Sequence, residues 1–308
     1  MKRIALYLYS VIIGVLSISA QEYNDTYLTH YYAMPAAFNP AAVGVDARLN
    51  IVADGRLQWT GLSDNPRAAT LSADMPLRLG KYRFGAGVVG RYNSVGTMRY
   101  GTAAMQFSYQ TGDISVGVRA GYVGGETDVE VSLADSYGGS IDLGIGLWLN
   151  KRNFYLGGSV LHLNEPKFTF TSNDESKVED AEETTLEYRI KRTAFFTGGG
   201  NISIKDSFIE LQPSVFVRTD FTRLRAEATA RLRYRQMLTA GIGYRHDDAV
   251  IGILGGEFGG LFVMYSYGFN ISGAGKESHG SHEIVAGYRV KLNVAPKRRY
   301  KHKSIRIL

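Results

Sequence analysis

Polar and apolar residues alternate with a period of two over long stretches of this chain. In residues 46–59, Ala47, Leu49, Ile51, Ala53, Leu57 and Trp59 fall on one side and Asp46, Arg48, Asn50, Asp54, Arg56 and Gln58 on the other, with Val52 the one misfit. The split recurs from Thr222, where Leu224, Ala226, Ala228, Ala230, Leu232 and Tyr234 alternate with Arg223, Arg225, Glu227, Thr229, Arg231 and Arg233. It recurs again where Ile284, Ala286, Tyr288, Val290 and Leu292 face away from Glu283, Arg289, Lys291 and Asn293. Such runs exceed ordinary soluble strands and match strands tilted across a bilayer. The pattern therefore predicts apolar side chains toward lipid and polar ones toward a lumen.

Alternation and turn residues mark strands at 46–59, 67–75, 81–92, 97–110, 112–122, 139–150, 153–162, 191–203, 207–218, 222–234, 236–245, 248–256, 260–271 and 281–294. The expected fold is all-β, a transmembrane antiparallel β-barrel of about 14 strands. An even count brings both termini to one mouth, and bacterial barrels keep termini and short turns in the periplasm. The long connections, 60–66, 123–138, 163–190 and 272–280, all follow odd-numbered strands, in keeping with that sidedness. Residues 21–44 precede the first strand and combine few charges with many aromatic and small residues. They are expected to fold into the lumen or cap its periplasmic mouth as a plug. The barrel then spans 45–295.

The ends of the chain add a compartment. Lys2 and Arg3 precede an apolar run from Ile4 to Leu16 and small residues before Gln21, the pattern of a secretory signal peptide over 1–20, cut after Ala20 or Ser19. An exported chain with barrel strands is expected to be integral to the outer membrane of a double-membraned bacterium. The 36 Gly and 20 Tyr, with 7 Pro, suit long strands, tight turns and aromatic girdles. With no Cys, disulfides and thiol chemistry are excluded. The net charge of +6 sits in the tail 296–308, whose Lys297, Arg298, Arg299, Lys301, Lys303 and Arg306 leave the rest of the chain balanced. Export argues against nucleic acid as the partner of this tail. Either it contacts an acidic periplasmic component or anionic lipid headgroups, or it is solvated.

Arg48, Asp54, Arg56, Arg83, Arg91, Arg119, Asp142, Glu210, Arg218, Arg223, Arg225, Glu227, Arg231, Arg233, Arg245, Glu283, Arg289 and Lys291 fall on the lumen side. This Arg-rich set either bridges carboxylates across the barrel or forms an anion-attracting path. The acidic stretch 173–184 reads as a solvated outer loop, with calcium binding or docking of a basic surface protein as alternatives. His162, close to Ser159, reads as a polar girdle residue, since alternation supplies no third partner for a hydrolase site. His279 and His282 form a weak metal pattern with no second cluster. No catalytic, cofactor or metal residues are assigned.

The segment YYAMPAAFNPAAVG, with Tyr32, Pro35, Asn39, Pro40, Ala41, Ala42 and Gly44, resembles the opening signature of the PorP/SprF family of outer-membrane proteins, and most closely that of its namesake. Arg56, Gln58, Trp59 and Pro66 resemble its R-x-QW…P segment. Gly158, His162 and Pro166 resemble its strand-end motif, and Gly280 to Ile284, with His282 and Glu283, its entry into the last strand. The resemblance implies a non-enzymatic component of the type IX secretion system of Bacteroidetes, which exports proteins with a C-terminal signal and supports gliding in some species. The implied partners are the PorK/PorN ring, the peptidoglycan-binding PorE and secreted surface proteins. The alternative drawn from the Arg-rich interior is an outer-membrane diffusion channel or transporter for anionic solutes.

Overall fold

The computed structural model describes residues 28–96, 98–127, 138–171 and 185–292. Residues 1–27, which include the expected signal peptide, the acidic stretch 173–184 and the basic tail lie outside the described residues.

The strands are Arg48–Leu57 (β1), Arg67–Leu79 (β2), Tyr82–Val95 (β3), Met98–Thr111 (β4), Ile114–Thr127 (β5), Gly138–Asn150 (β6), Phe154–Leu161 (β7), Lys167–Thr171 (β8), Thr185–Arg189 (β9), Thr193–Gly200 (β10), Ile202–Ser203 (β11), Ile209–Thr219 (β12), Leu224–Tyr234 (β13), Leu238–Arg245 (β14), Ala249–Phe258 (β15), Leu261–Asn270 (β16) and Ser281–Lys291 (β17). Each main strand pairs antiparallel with its chain neighbour, β7 with β10 across the intervening hairpin, and β1 with β17 from Arg48↔Lys291 to Leu57↔His282. The sheet is thus a closed barrel of fourteen strands, with β11 a continuation of β10.

Side-chain direction follows the alternation. On β6, Leu147 is 60% exposed while its neighbour Trp148 is 6% exposed, so the apolar set faces outward as a lipid-contacting band. Six connections gather at one end of the barrel, among them Gly80–Lys81, Gly112–Asp113, Arg235–Met237 and Gly259–Gly260. We call this the hairpin mouth. The longer connections gather at the other end, the loop mouth.

Three details differ from the sequence expectation. Pro76, expected in a turn, lies inside β2, beyond Asp74↔Asn50 where pairing with β1 stops, so its missing N–H is tolerated. The expected strand 191–203 breaks at Asn201. Pro213 of β12 lies opposite this break, between the registers Gly199↔Ser214 and Ile202↔Leu211, where no ladder donor is required. The connection 163–190, expected without structure, contains the β8–β9 hairpin, in which Lys167 pairs with Arg189.

Candidate functional site in the barrel lumen

The chain ahead of β1 passes through the barrel. Thr29 and His30 lie near the loop mouth, against Arg56, Arg245 and Glu283, whereas Gly44 lies near the hairpin mouth against Met75 and Gly85. Between them, nearly all of the residues are buried.

The local sequence explains how so short a segment holds its shape. Two Pro-Ala-Ala triplets form 3-10 turns, Pro35–Ala37 and Pro40–Ala42. Proline suits the first position because its φ is preset and the N–H it lacks has no partner there. Asn39 caps the second turn, its Oδ1 accepting from Ala41 N at 2.9 Å. The same side chain donates through Nδ2 to Leu147 O at 3.0 Å and Gly158 O at 3.2 Å, tying the turn to β6 and β7.

The inner wall is hollowed to receive this backbone. A Cβ on Gly85 would lie 2.0 Å from Val43 O, and one on Gly146 2.1 Å from Asn39 Oδ1, so neither position admits a side chain with the segment in place. Gly44, at φ +64, turns the chain toward β1 with its N–H on Asp74 Oδ2 at 2.9 Å. The segment's carbonyls, which a 3-10 turn leaves open, are met from the wall. Gln106 donates to Ala36 O at 3.0 Å, Ser159 to Phe38 O at 2.7 Å, Ser108 to Val43 O at 2.7 Å and Gln110 to Gly44 O at 2.8 Å, and Ser115 donates to Ala41 O. A buried backbone needs such partners.

The middle of the segment is apolar. Tyr31, Met34 and Phe38 pack against Val52, Leu161, Phe195, Phe216, Phe262 and Val285. Tyr31 stacks on Phe216 with ring centroids 4.8 Å apart and hydrogen-bonds Ser214 at 3.1 Å. Val52, the misfit of the first strand, is a lumen residue that covers this segment.

Charges close the loop end. Arg56 Nη1 lies 2.6 Å from Glu283 Oε2, and His30 N donates to the other oxygen of Glu283 at 3.0 Å. Thr29 Oγ1 accepts from Arg56 at 2.9 Å and from Arg245 at 3.0 Å, while Arg245 pairs with Glu227 and Asp248.

The signature residues fall into three places. Pro35, Asn39, Pro40 and Gly44 belong to the threaded segment and Arg56 and Glu283 clamp its start. Gln58, Trp59 and Pro166 sit at the loop mouth, where Gln58 N donates to Pro66 O at 2.9 Å, Trp59 N to Ser281 Oγ at 3.2 Å, and Pro166 O accepts from Ile190 N at 3.0 Å. His282 points outward, with Nδ1 2.7 Å from Tyr265 OH.

His162 corrects the sequence expectation. It is not a girdle residue but is buried, with Nδ1 2.9 Å from Asp142, which also pairs with Arg119 at 3.1 Å. Its φ of +55 is the cause, because alternation assumes an extended backbone and a left-handed residue turns its side chain to the other face.

Among the candidate lumen charges, Asp54, Glu227 and Arg231 are buried, Arg223 and Arg225 are partly buried near the loop mouth, and Arg48, Arg233 and Arg289 line the hairpin mouth. Arg83 is exposed beside the Gly80–Lys81 turn and does not line the lumen interior. Sequence reasoning placed Arg245 on the lumen side but missed Thr29 and the glycine floor. Gly85, Gly117 and Gly146 all occupy inward slots between outward apolar residues, a run of vacancies on the polar face that marks where a backbone docks.

A closed, apolar-banded barrel around a hydrogen-bonded segment of its own chain defines a β-barrel protein of the outer membrane. Solved barrels of similar shape include the toluene transporter TbuX of Ralstonia pickettii (11% identity, 82% of this chain and 92% of that one, TM-score 0.49). Others are the toluene transporter TodX of Pseudomonas putida (12%, 87% and 95%, 0.47) and the outer membrane protein Omp33 of Acinetobacter baumannii (10%, 81% and 100%, 0.43). No curated protein matches this chain in sequence. The chain belongs to the family of type IX secretion system membrane proteins PorP/SprF, whose model matches residues 20–288. Membership associates it, as a membrane protein, with the components of that secretion system.

Proposed function

We propose that the protein is a non-enzymatic outer-membrane link of the type IX secretion machinery, acting as the family's namesake does. It joins the periplasmic PorK/PorN ring and peptidoglycan-bound PorE to the outer membrane and supports export or surface retention of proteins bearing the C-terminal signal. In this reading the hairpin mouth, where β1 begins and β17 ends, faces the periplasm, and the basic tail from Lys297 to Arg306 contacts an acidic component there or anionic headgroups.

The observation that carries the proposal is the lumen. Residues 28–44 occupy it from one mouth to the other and are held by signature residues at both ends, so the family's sequence marks are spent on closing the barrel. A closed barrel serves as an anchor, not as a conduit for anionic solutes. In planar bilayers the purified mature chain is expected to show no steady conductance, and a variant lacking residues 28–44 to conduct. A stable open pore formed by the intact chain would support the channel instead. Crosslinking and affinity isolation from native membranes identify the partners, and truncation at Pro296 that leaves them unchanged would remove the tail from the account.

A further inference from the structure

Below the threaded segment, toward the hairpin mouth, the lumen keeps a cavity of about 290 Å³. Tyr31, Tyr32, Met34 and Pro35 line it on the side of the segment, and it shares Asp46, Arg233, Glu257 and Arg289 with a recess of about 690 Å³ at the hairpin mouth. It is a blind chamber, entered from the hairpin mouth and stopped by the protein's own chain.

Its lining carries three guanidiniums, Arg231, Arg233 and Arg289, and three carboxylates, Asp46, Asp74 and Glu257, but these are not paired one to one. Arg231, 7% exposed, lines the cavity with its guanidinium carbon 3.2 Å from the ring centre of Tyr32, and its Nε has no hydrogen-bond acceptor. No carboxylate among the described residues lies within 4.0 Å of it. Stacking on an aromatic ring orients a guanidinium but replaces little of its lost hydration. Nearer the mouth, Arg233 and Arg289 share one carboxylate, Glu257, at 2.7 and 3.4 Å. Of the other acids lining the cavity, Asp74 is engaged by Gly44 N and Asn50, and Asp46 is exposed at the entrance. Three guanidiniums thus converge on a space in which Glu257 is the carboxylate ion-paired with them and Arg231 has none, an arrangement that suits the oxygens of a carboxylate or phosphate.

We propose that this chamber is an anion site, in which Arg231 makes the innermost contact to a carboxylate or phosphate group entering at the hairpin mouth, with Arg233 and Arg289 flanking it. The group belongs either to a small solute or to an acidic side chain of a polypeptide docked at that mouth. Such a site is distinct from a transport path, because it ends at Tyr32.

Calorimetric titration of the full chain in micelles with inorganic phosphate, citrate and an end-blocked tetraglutamate peptide tests this. At least one probe is expected to bind, more weakly as salt is added. Binding of phosphate or citrate assigns the site to small solutes, and binding of the peptide alone to acidic side chains. Arg231→Gln is expected to weaken binding about tenfold, the effect of losing a charge-assisted pair. Glu257→Gln, which frees two guanidiniums, is expected to strengthen it several-fold. The shift in gel mobility on heating reports whether each variant folds. If no probe binds the parent chain, or if a folded Arg231→Gln binds as the parent does, the site does not exist. Should Arg231→Gln fail to fold, an unchanged affinity in Glu257→Gln overturns the proposal equally.

Discussion

Arg56 and Glu283 stand 227 residues apart in the chain and 2.6 Å apart in the barrel, each almost wholly buried. They belong to the first and last strands, on the two sides of the closing seam, and between them they hold Thr29 and the backbone of His30. Removing one member of such a pair strands the other, at a cost of about 3–5 kcal/mol. Arg56→Met and Glu283→Gln are each expected to lower unfolding stability in guanidinium by that order. The double variant should lose less than the sum, because neither charge is then left alone. Additive losses would show that the two act separately.

Gly85 predicts a local displacement rather than a global loss. A Val there meets Val43 O, whereas the outward face of β3 is untouched. Because the native chain has no Cys, Val43→Cys provides a single thiol to follow. That thiol is expected to resist maleimide in the parent barrel and to react at least tenfold faster with Gly85→Val added. Equal rates would mean that the segment does not rest on the glycine floor.

Phe216 stacks on Tyr31 and meets Phe38 in a T-shaped pair, with ring centroids 4.8 and 4.9 Å away. Phe216→Ala is expected to cost about 3–5 kcal/mol, the usual range for a buried aromatic truncated to Ala. The measurement is the guanidinium midpoint, with Tyr31→Phe as a comparison that removes only the hydroxyl and its contacts to Ser214 and Thr229 and costs about 1 kcal/mol.

Asp220 controls the turn between β12 and β13. Partial burial pushes its carboxyl upward, but hydrogen bonds from Thr222 Oγ1, Arg223 N and Thr222 N outweigh this and hold it below the ordinary carboxylate range. A lowered folded pKa stabilises above the unfolded value and loses that contribution as pH falls through the folded one. The carboxyl carbon of Asp220 is therefore expected to titrate by NMR below free aspartate, and the amide protection of Arg223 to fall over the same interval. Titration at or above the free value would remove the turn's role.

The barrel was legible in sequence because a lipid face and a lumen face impose one rule on every strand. What the sequence hid follows where that rule fails. Val52 looked like an error in the polar set and is instead part of an apolar lining, as are Phe216, Phe262 and Val285 at inward slots. His162 follows its left-handed backbone, not its parity. The contact of Arg56 with Glu283 could not be read from either segment, since closure alone brings the ends of the sheet together, although each residue was singled out on its own. The segment 28–44 was legible as apolar and compact but not in its path, because its partners are carbonyls and hydroxyls spread over many strands.

The route of that segment also fixes an order of events. The seam of the barrel joins β1, which begins four residues after Gly44, to β17, the last strand to be made. A lumen lined this closely leaves little passage for a chain arriving late, and residues 28–44 are expected to lie across the curling sheet before its edges meet. The Arg56–Glu283 pair then fastens the edges over the segment that it also holds.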